Sequence, residues 1–381
     1  MKKQSLEHLI KIRHELHRHP EISGEEKETA IRILSWLKPY KPDNIITGLG
    51  GYGLAAIYSS NIEGPVIMFR AELDALPLKE GNIFEYRSNE SQVAHLCGHD
   101  GHMTFLLGLA EHLSVQRLKQ GKIVLLFQPA EETGMGALKA INDPNFITLQ
   151  PDFVFSIHNL PGLPMHQVIT SDQRFAAAST GMILRLQGRT SHAAEPGKGR
   201  SPVQAVSKIL DKLEALPGEM QNLKAFSLLT IIHTKIGDVA FGTTPGDAVV
   251  MATLRAYEDE DLKKLSVAAK EIIELIARSE NLEFEITYTE SFPATVNHPE
   301  AADLVKSAAK TSELDVHNLT EPFKWTEDFG HFTSKFKGAL IGLGSGEDHP
   351  ALHNSNYDFP DELIPTGVRL ITEICRKAGV L

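Results

Sequence analysis

A chain of 381 residues is too long for one ordinary hydrophobic core, and two domains are expected. Its 42% hydrophobic and 23% charged residues make an ordinary globular composition, and a net charge of −11 argues against nucleic acid and anionic membranes as partners. Two cysteines, at 97 and 375, do not make a disulfide framework. The first ten residues are charged and helical in pattern, with no apolar signal-peptide core, and no apolar run approaches the length of a membrane span. A cytoplasmic protein with reduced thiols is therefore expected.

Residues 5–19 read as an amphipathic helix with Leu6, Leu9, Ile10, Ile12 and Leu16 on one side. A second helix is expected after Ser23, an N-cap candidate followed by Glu25 and Glu26. His14-Glu-Leu-His17 falls short of HExxH, because position 18 is arginine; both histidines read as surface or helix-packing residues. Strands follow at 53–58 and 65–70, the second running into Glu72 and Asp74. After a helix at about 101–116 come apolar strands at 122–127 and 152–157. Strands alternating with helices imply a mainly parallel sheet covered on both faces.

From about 176 the texture changes. A strand at 179–187, a helix at 201–215, strands near 226–236 and 247–257, a helix at 259–279 and a strand at 282–290 give the order βαββαβ. That order fits a ferredoxin-like α+β unit inserted into the first domain. The chain then resumes with a helix at 299–311, a strand at 339–343 and a helix at about 361–378. The expected division is 1–175 and 294–381 for an α/β catalytic domain, with 176–293 inserted.

The densest chemistry lies in Val93-Ala-His-Leu-Cys-Gly-His-Asp-Gly-His102, which holds three of the 17 histidines and one of the two cysteines. Asp74, Glu131 with Glu132, and His158 each follow an apolar strand, and Cys97 with His99 precedes a helix. A sheet brings such positions to one edge, beyond the strand carboxyl ends where α/β folds hold ligands. His353 follows the strand at 339–343 through a Gly/Ser turn. In extended backbone Cys97 and His99 point the same way and can reach one ion. Adjacent Glu131 and Glu132 point apart, one for metal and one for a proton. Taken singly, Cys97 and His158 read as interior residues and the Glu-Glu pair as solvated surface. Together they point to metal-assisted hydrolysis at a site of mixed thiolate, imidazole and carboxylate donors.

These residues resemble the two-domain metallo-aminoacylase/carboxypeptidase superfamily, in its amidohydrolase branch with hippurate hydrolase, N-acetyl-diaminopimelate deacetylase, N-acyl-cysteine deacylase and auxin-conjugate hydrolases. The matching stretches include Arg70-Ala-Glu-Leu-Asp-Ala-Leu-Pro77, His95-Leu-Cys-Gly-His-Asp-Gly-His102, Phe127-Gln-Pro-Ala-Glu-Glu132, His158-Asn-Leu-Pro161, Ser191-His-Ala-Ala-Glu-Pro-Gly197, Thr326-Glu-Asp-Phe329 and Leu352-His353. The resemblance implies a dinuclear centre on Cys97, His99, Glu132, His158 and His353; the donor chemistry suits two divalent ions (Mn, Zn, Co or Ni), and because a thiolate bridges more readily than an imidazole, Cys97 is the expected bridge. It implies Glu131 as general acid/base and Asp74 as the carboxylate that orients the site. His192 would polarise the scissile carbonyl, and Arg255 would pair with a substrate carboxylate. His95, Asp100 and His102 are expected to support the ligands rather than bind metal. The inserted domain would be a lid and a homodimerisation surface.

The activity so implied is hydrolysis of N-acyl amino acids to a carboxylic acid and an amino acid. The alternatives are a dipeptidase or carboxypeptidase acting on short peptides, and a non-catalytic, metal-stabilised binding protein. Two positions depart from the family: Glu72 stands for the usual aspartate, and Gly242 for an asparagine that contacts substrate. His233 lies near Gly242 but reads as an ordinary strand histidine.

Overall fold

The structure, a computed structural model, describes residues 2–381. It divides into two compact units: one runs to Phe175 and resumes as Thr295–Glu321 and Glu327–Leu381, and the other is Ala176–Ala294 with Pro322–Thr326.

The first unit is built on one eight-stranded sheet. Its strands are β1 (Asn44–Leu49), β2 (Gly53–Ser59), β3 (Val66–Glu72), β4 (Lys122–Gln128), β5 (Phe153–Leu160), Val168–Thr170, Val316–Asn318 and Lys337–Gly344. Four strands lie side by side and parallel in the middle: β4, β3, β5 and Lys337–Gly344. β2 joins β4 antiparallel, and β1 extends it as an edge. The central strands are near-continuous apolar runs because both faces are covered. β1 escapes the sequence reading because it is short and mostly solvent-facing, so neither an apolar run nor a clean alternation marks it.

Helix α1 is Lys3–Arg18, α2 Lys27–Leu37 and α3 His99–Val115. Every residue of α3 from His99 to Ala110 is buried, as befits a helix packed between β3, α1 and the C-terminal helix Leu363–Lys377. α2 starts at Lys27 rather than after Ser23. The Ser23 hydroxyl is engaged by Asp74 at 2.6 Å instead of capping the helix, and Glu26 turns back to accept from the Gly24 N–H at 2.7 Å.

In the second unit, Ala178–Gln187, Ser227–Ile236, Asp247–Ala256 and Glu283–Phe292 form an antiparallel sheet whose spatial order is second, third, first, fourth. Helices Val203–Glu219 and Asp259–Ser279 pack on it through Val206, Ile209, Leu213, Leu265 and Ile273, against Met182, Leu184 and Leu186. Alternate burial along Asp247–Ala256 is the signature of a sheet covered on one side. Among the described residues no helix is long and apolar enough to cross a membrane.

A buried ionic network ties α1 to the start of α3. Arg13, wholly buried, donates to Asp358 at 2.6 Å and Asp361 at 2.9 Å and lies 3.5 Å from Asp100. His17 bridges Asp100 at 2.8 Å and Glu80 at 3.1 Å. His14 stacks on Tyr86 with ring centroids 3.6 Å apart and meets Asp361 at 2.9 Å, so both histidines pack the helix. Burial opposes a charge on His17, but the hydrogen bonds to Asp100 and Glu80 outweigh it and push its pKa up to about 9. A raised histidine pKa adds stability that is complete below the unfolded value of about 6.5 and is lost as pH rises through 9. Replacing His17 with Gln therefore lowers unfolding free energy by about 3 kcal/mol near pH 6. Urea titrations of both proteins should show the gap closing toward pH 9.5; a pH-independent gap would contradict a charged His17.

Candidate metal centre

Four chain segments meet at the carboxyl ends of the parallel strands. β3 ends at Glu72 and leads to Asp74; β4 ends at Gln128 and leads to Glu131 and Glu132. β5 carries His158 inside the strand rather than beyond it, because pairing with Lys337–Gly344 continues through Leu160. The loop after Lys337–Gly344 delivers His353, whose backbone N–H is tied to the Leu96 carbonyl at 2.8 Å. His353 itself holds a left-handed φ of 67°, uncommon for a residue with a side chain.

Cys97 and His99 converge for a different reason than alternation along a strand. Between them Gly98 adopts φ 96°, and His99 is already the first residue of α3. A Cβ at position 98 would stand 2.2 Å from Asn159 Oδ1 and 2.8 Å from the Tyr357 hydroxyl, so the reversal requires glycine. Glu131 and Glu132 do not diverge either. They sit in a turn opened by Ala130 at φ 54°, and both carboxylates reach His99 Nε2, at 4.0 Å and 3.9 Å. Buried Glu26 pins that turn by accepting from the Ala130 N–H at 2.8 Å.

The resulting side chains form overlapping donor groups. In the group Cys97, His99, His158 and in the group Cys97, Glu132, His353, the ligand atoms lie within 4.8 Å of one another. Cys97 is common to both. His99, Glu131 and Glu132 form a third such group. Cys97 Sγ lies 3.5 Å from His158 Nε2, and Glu132 Oε1 lies 3.9 Å from His353 Nε2. His353 is half-exposed and Glu132 partly so, which leaves one side of the cluster open to solvent.

The surroundings fix each donor. His99 Nδ1 faces the Asp74 carbonyl at 2.8 Å, which turns Nε2 toward the carboxylates. Asp74 thus orients His99 through its main chain, while its carboxylate accepts from the Glu132 N–H at 3.0 Å. His102 is spanned by Glu72 at 2.7 Å and Asn159 at 2.7 Å, and Asp100 belongs to the Arg13 network, so both support the site. His95 is buried with neither ring nitrogen hydrogen-bonded.

The electrostatics favour a cation. Burial, then the Glu132 and Glu131 charges, push the Cys97 thiol well up. Burial, then Glu327 and Glu132, push Glu131 well above the usual carboxylate range; burial likewise raises Glu132 to about 7. Burial opposes a charge on His99, yet Glu72, Glu132 and Asp74 outweigh it and raise it to about 9. His99 Nε2 and Glu132 Oε1 are buried without a hydrogen-bond partner. Unpaired buried donors of mixed S, N and O type fit a borderline divalent ion, which would supply the missing positive charge.

His192 and Arg255 belong to the second unit. His192 is exposed on the short strand Ser191–His192, which pairs with Thr243–Thr244. Arg255 is half-buried in Asp247–Ala256 and donates to the Lys324 carbonyl at 3.1 Å. Gly242 has open space where a side chain would go, and His233 is exposed on Ser227–Ile236 beside a register shift.

Several buried residues at the site had no role in the sequence reading. Arg70 pairs with Glu72, with Glu327 at 2.8 Å and with Asp328, all buried. Asp328 also accepts from Gln128 at 2.7 Å and the Ala137 N–H at 2.8 Å. The available signal was a lone arginine ending an apolar strand, which demands buried carboxylates.

A two-unit α/β protein with a carboxylate beside clustered metal donors belongs to the class of metal-dependent hydrolases. The chain is a member of the peptidase family M20/M25/M40, whose model matches residues 68–377. It is 31% identical over 370 residues to hippurate hydrolase of Campylobacter jejuni, covering 96% of this chain and 95% of that one. It is 30% identical over 379 residues to an uncharacterized hydrolase of Staphylococcus aureus, covering 94% and 95%. Its fold matches a dinuclear metal-binding peptidase of the M20 family from Bacillus subtilis, with TM-score 0.82, 24% identity and 98% of each chain covered. It also matches an aminobenzoyl-glutamate utilization protein from Klebsiella pneumoniae, with TM-score 0.75, 19% identity and 98% and 96% covered.

Metal should stabilise the fold. At a free ion concentration of about 100 times Kd, Mn or Zn is expected to add about 2.7 kcal/mol to unfolding free energy. Thermal melts of EDTA-treated protein check this: Tm should rise with metal in the native chain and stay flat in Cys97→Ala/His99→Ala. An equal rise in both would place the ion elsewhere.

Proposed function

We propose that this chain is a metal-dependent amidohydrolase that cleaves N-acyl amino acids to a carboxylic acid and a free amino acid. The observation that carries the reading is Glu131: a buried carboxylate whose Oε2 lies 4.0 Å from His99 Nε2, beside the donor groups. His99, Glu132, His158 and His353 would hold two divalent ions, with Cys97 shared between them. Bound there, the ions would supply Lewis acidity toward a water and the amide carbonyl.

The chain's own residues do the rest. Glu131 takes a proton from the attacking water and returns it to the leaving nitrogen. Asp74 keeps His99 Nε2 turned inward and holds the Glu132 backbone. His192 polarises the scissile carbonyl, and Arg255 pairs with the substrate carboxylate, which a guanidinium fork suits. The second unit, ferredoxin-like in its strand order, serves as lid and homodimerisation surface. The reaction takes place in the cytoplasm, where Cys97 stays a reduced thiol.

Support for the acyl substrate comes from the likeness to hippurate hydrolase across nearly the whole chain. A second reading, cleavage of dipeptides, is favoured by the peptidase family and by the Bacillus subtilis relative's being a peptidase. The intact donor groups count against a non-catalytic binding protein.

Replacing Glu131 with Gln should lower kcat by about 10²–10⁴-fold, the range for loss of a general base, with bound metal unchanged. Metal analysis and initial rates on N-acetyl, N-benzoyl and dipeptide substrates check it. A variant with native kcat would remove Glu131 as the base, and faster turnover of dipeptides than of acyl amino acids would favour the second reading.

A further inference from the structure

Glu131 needs more than a suitable position along the chain. A general base must hold one oxygen toward the reacting water, and a misplacement of about 1 Å costs on the order of 100-fold in rate. Its backbone sits in a strained turn, so the aim of the carboxyl depends on what grips it from behind.

The grip comes from a segment far along the chain. Glu327 is 2% exposed and lies between Arg70 and Glu131. Arg70 Nη2 is 2.8 Å from its Oε1. Carboxyl oxygens of Glu131, Glu327 and Asp328 lie within 4.8 Å of one another, so the Glu327 carboxyl packs directly against that of Glu131. The next backbone N–H, that of Asp328, donates to Glu131 Oε1 at 3.3 Å. The other oxygen, Oε2, is the one 4.0 Å from His99 Nε2. Oε1 of Glu131 is thus anchored on the Asp328 N–H, with the Glu327 carboxyl packed beside it, and Oε2 faces the donor groups. The anchor is itself rigid, since Asp328 is fixed by Arg70, Gln128 and the Ala137 N–H.

We propose that Glu327 is a positioning residue for the reaction: held by Arg70, its carboxyl clamps Glu131 from behind and aims Glu131 Oε2 at the donor side chains. The proposal rests on Glu131 as the base, not on which amide is cleaved. In this role Glu327 acts through Glu131 and need touch neither substrate nor ion. Any side chain of the same reach that offers a hydrogen-bond donor and acceptor can replace it, and an apolar one cannot.

The test compares Glu327→Ala and Glu327→Gln as purified, metal-loaded proteins, using whichever acyl amino acid or dipeptide the native enzyme hydrolyses. In Glu327→Ala, kcat measured well below the Tm of both variants should fall about 100-fold with KM and metal content unchanged, the cost of a displaced catalytic group. Glu327→Gln should restore kcat to within about tenfold of native, because the amide keeps both hydrogen-bonding functions. Native kcat in the alanine variant overturns the proposal. So does equal loss in both variants, or loss that tracks metal content. Crystal structures of the two metal-loaded variants read the clamp without any substrate. The Glu131 carboxyl should swing away in Glu327→Ala and stay in Glu327→Gln; an unmoved carboxyl in the alanine variant overturns the proposal even if the native protein cleaves no acyl amino acid. Absence of native turnover on the whole panel contradicts the proposed function instead.

Discussion

The constraint on which the first unit depends is a surplus of buried negative donors at one sheet edge. Glu72, Asp74, Glu131, Glu327 and Asp328 are all buried there, with the Cys97 thiol among them. Arg70 and the histidines are the only cationic side chains set against that surplus within the ion pairs described. Burial of unpaired charge is far too costly to arise by accident. Burial makes Glu131, Glu132, Glu327 and Asp328 hold their protons above the ordinary range, whereas Arg70 and His102 outweigh burial at Glu72 and hold it well below. A divalent ion held there would supply the missing positive charge, and its binding would then be coupled to folding.

The fold exists to hold that edge still. Four parallel strands, buried on both faces, bring Asp74, Glu131, Glu132, His158 and His353 to one line. α3 adds Cys97 and His99 through the Gly98 reversal, and its burial on every side leaves no freedom to tilt. Behind it the Arg13, His17 and Asp100 network locks α1 to the turn that carries Cys97 and His99. The candidate donors His99 and Glu132 are both held by Asp74, the kind of support that metal ligands generally require.

Much of this was legible in the sequence. The alternation of apolar strands and helices announced the parallel sheet, and strand-end polar residues announced the site. What was not legible was local backbone geometry. Extended spacing suggested why Cys97 and His99 converge, whereas a left-handed glycine does it. Adjacency suggested that Glu131 and Glu132 point apart, whereas the turn at Ala130 sends both to His99. His158 was expected past its strand and lies within it, because strand length is set by the neighbouring Lys337–Gly344. Glu327 and Asp328 were visible only as part of a matching stretch, since their partner Arg70 lies more than 250 positions away and no local pattern reports such a pairing.

The central claim is that the donor groups sharing Cys97 form a two-ion centre. Anomalous diffraction from crystals grown with Mn or Zn tests it most directly. Two peaks are expected, one bonded to His99 or His158 and the other to Glu132 or His353, with Cys97 Sγ within bonding distance of both. Peaks elsewhere, or an ion at this edge that leaves Cys97 unbonded, would contradict it.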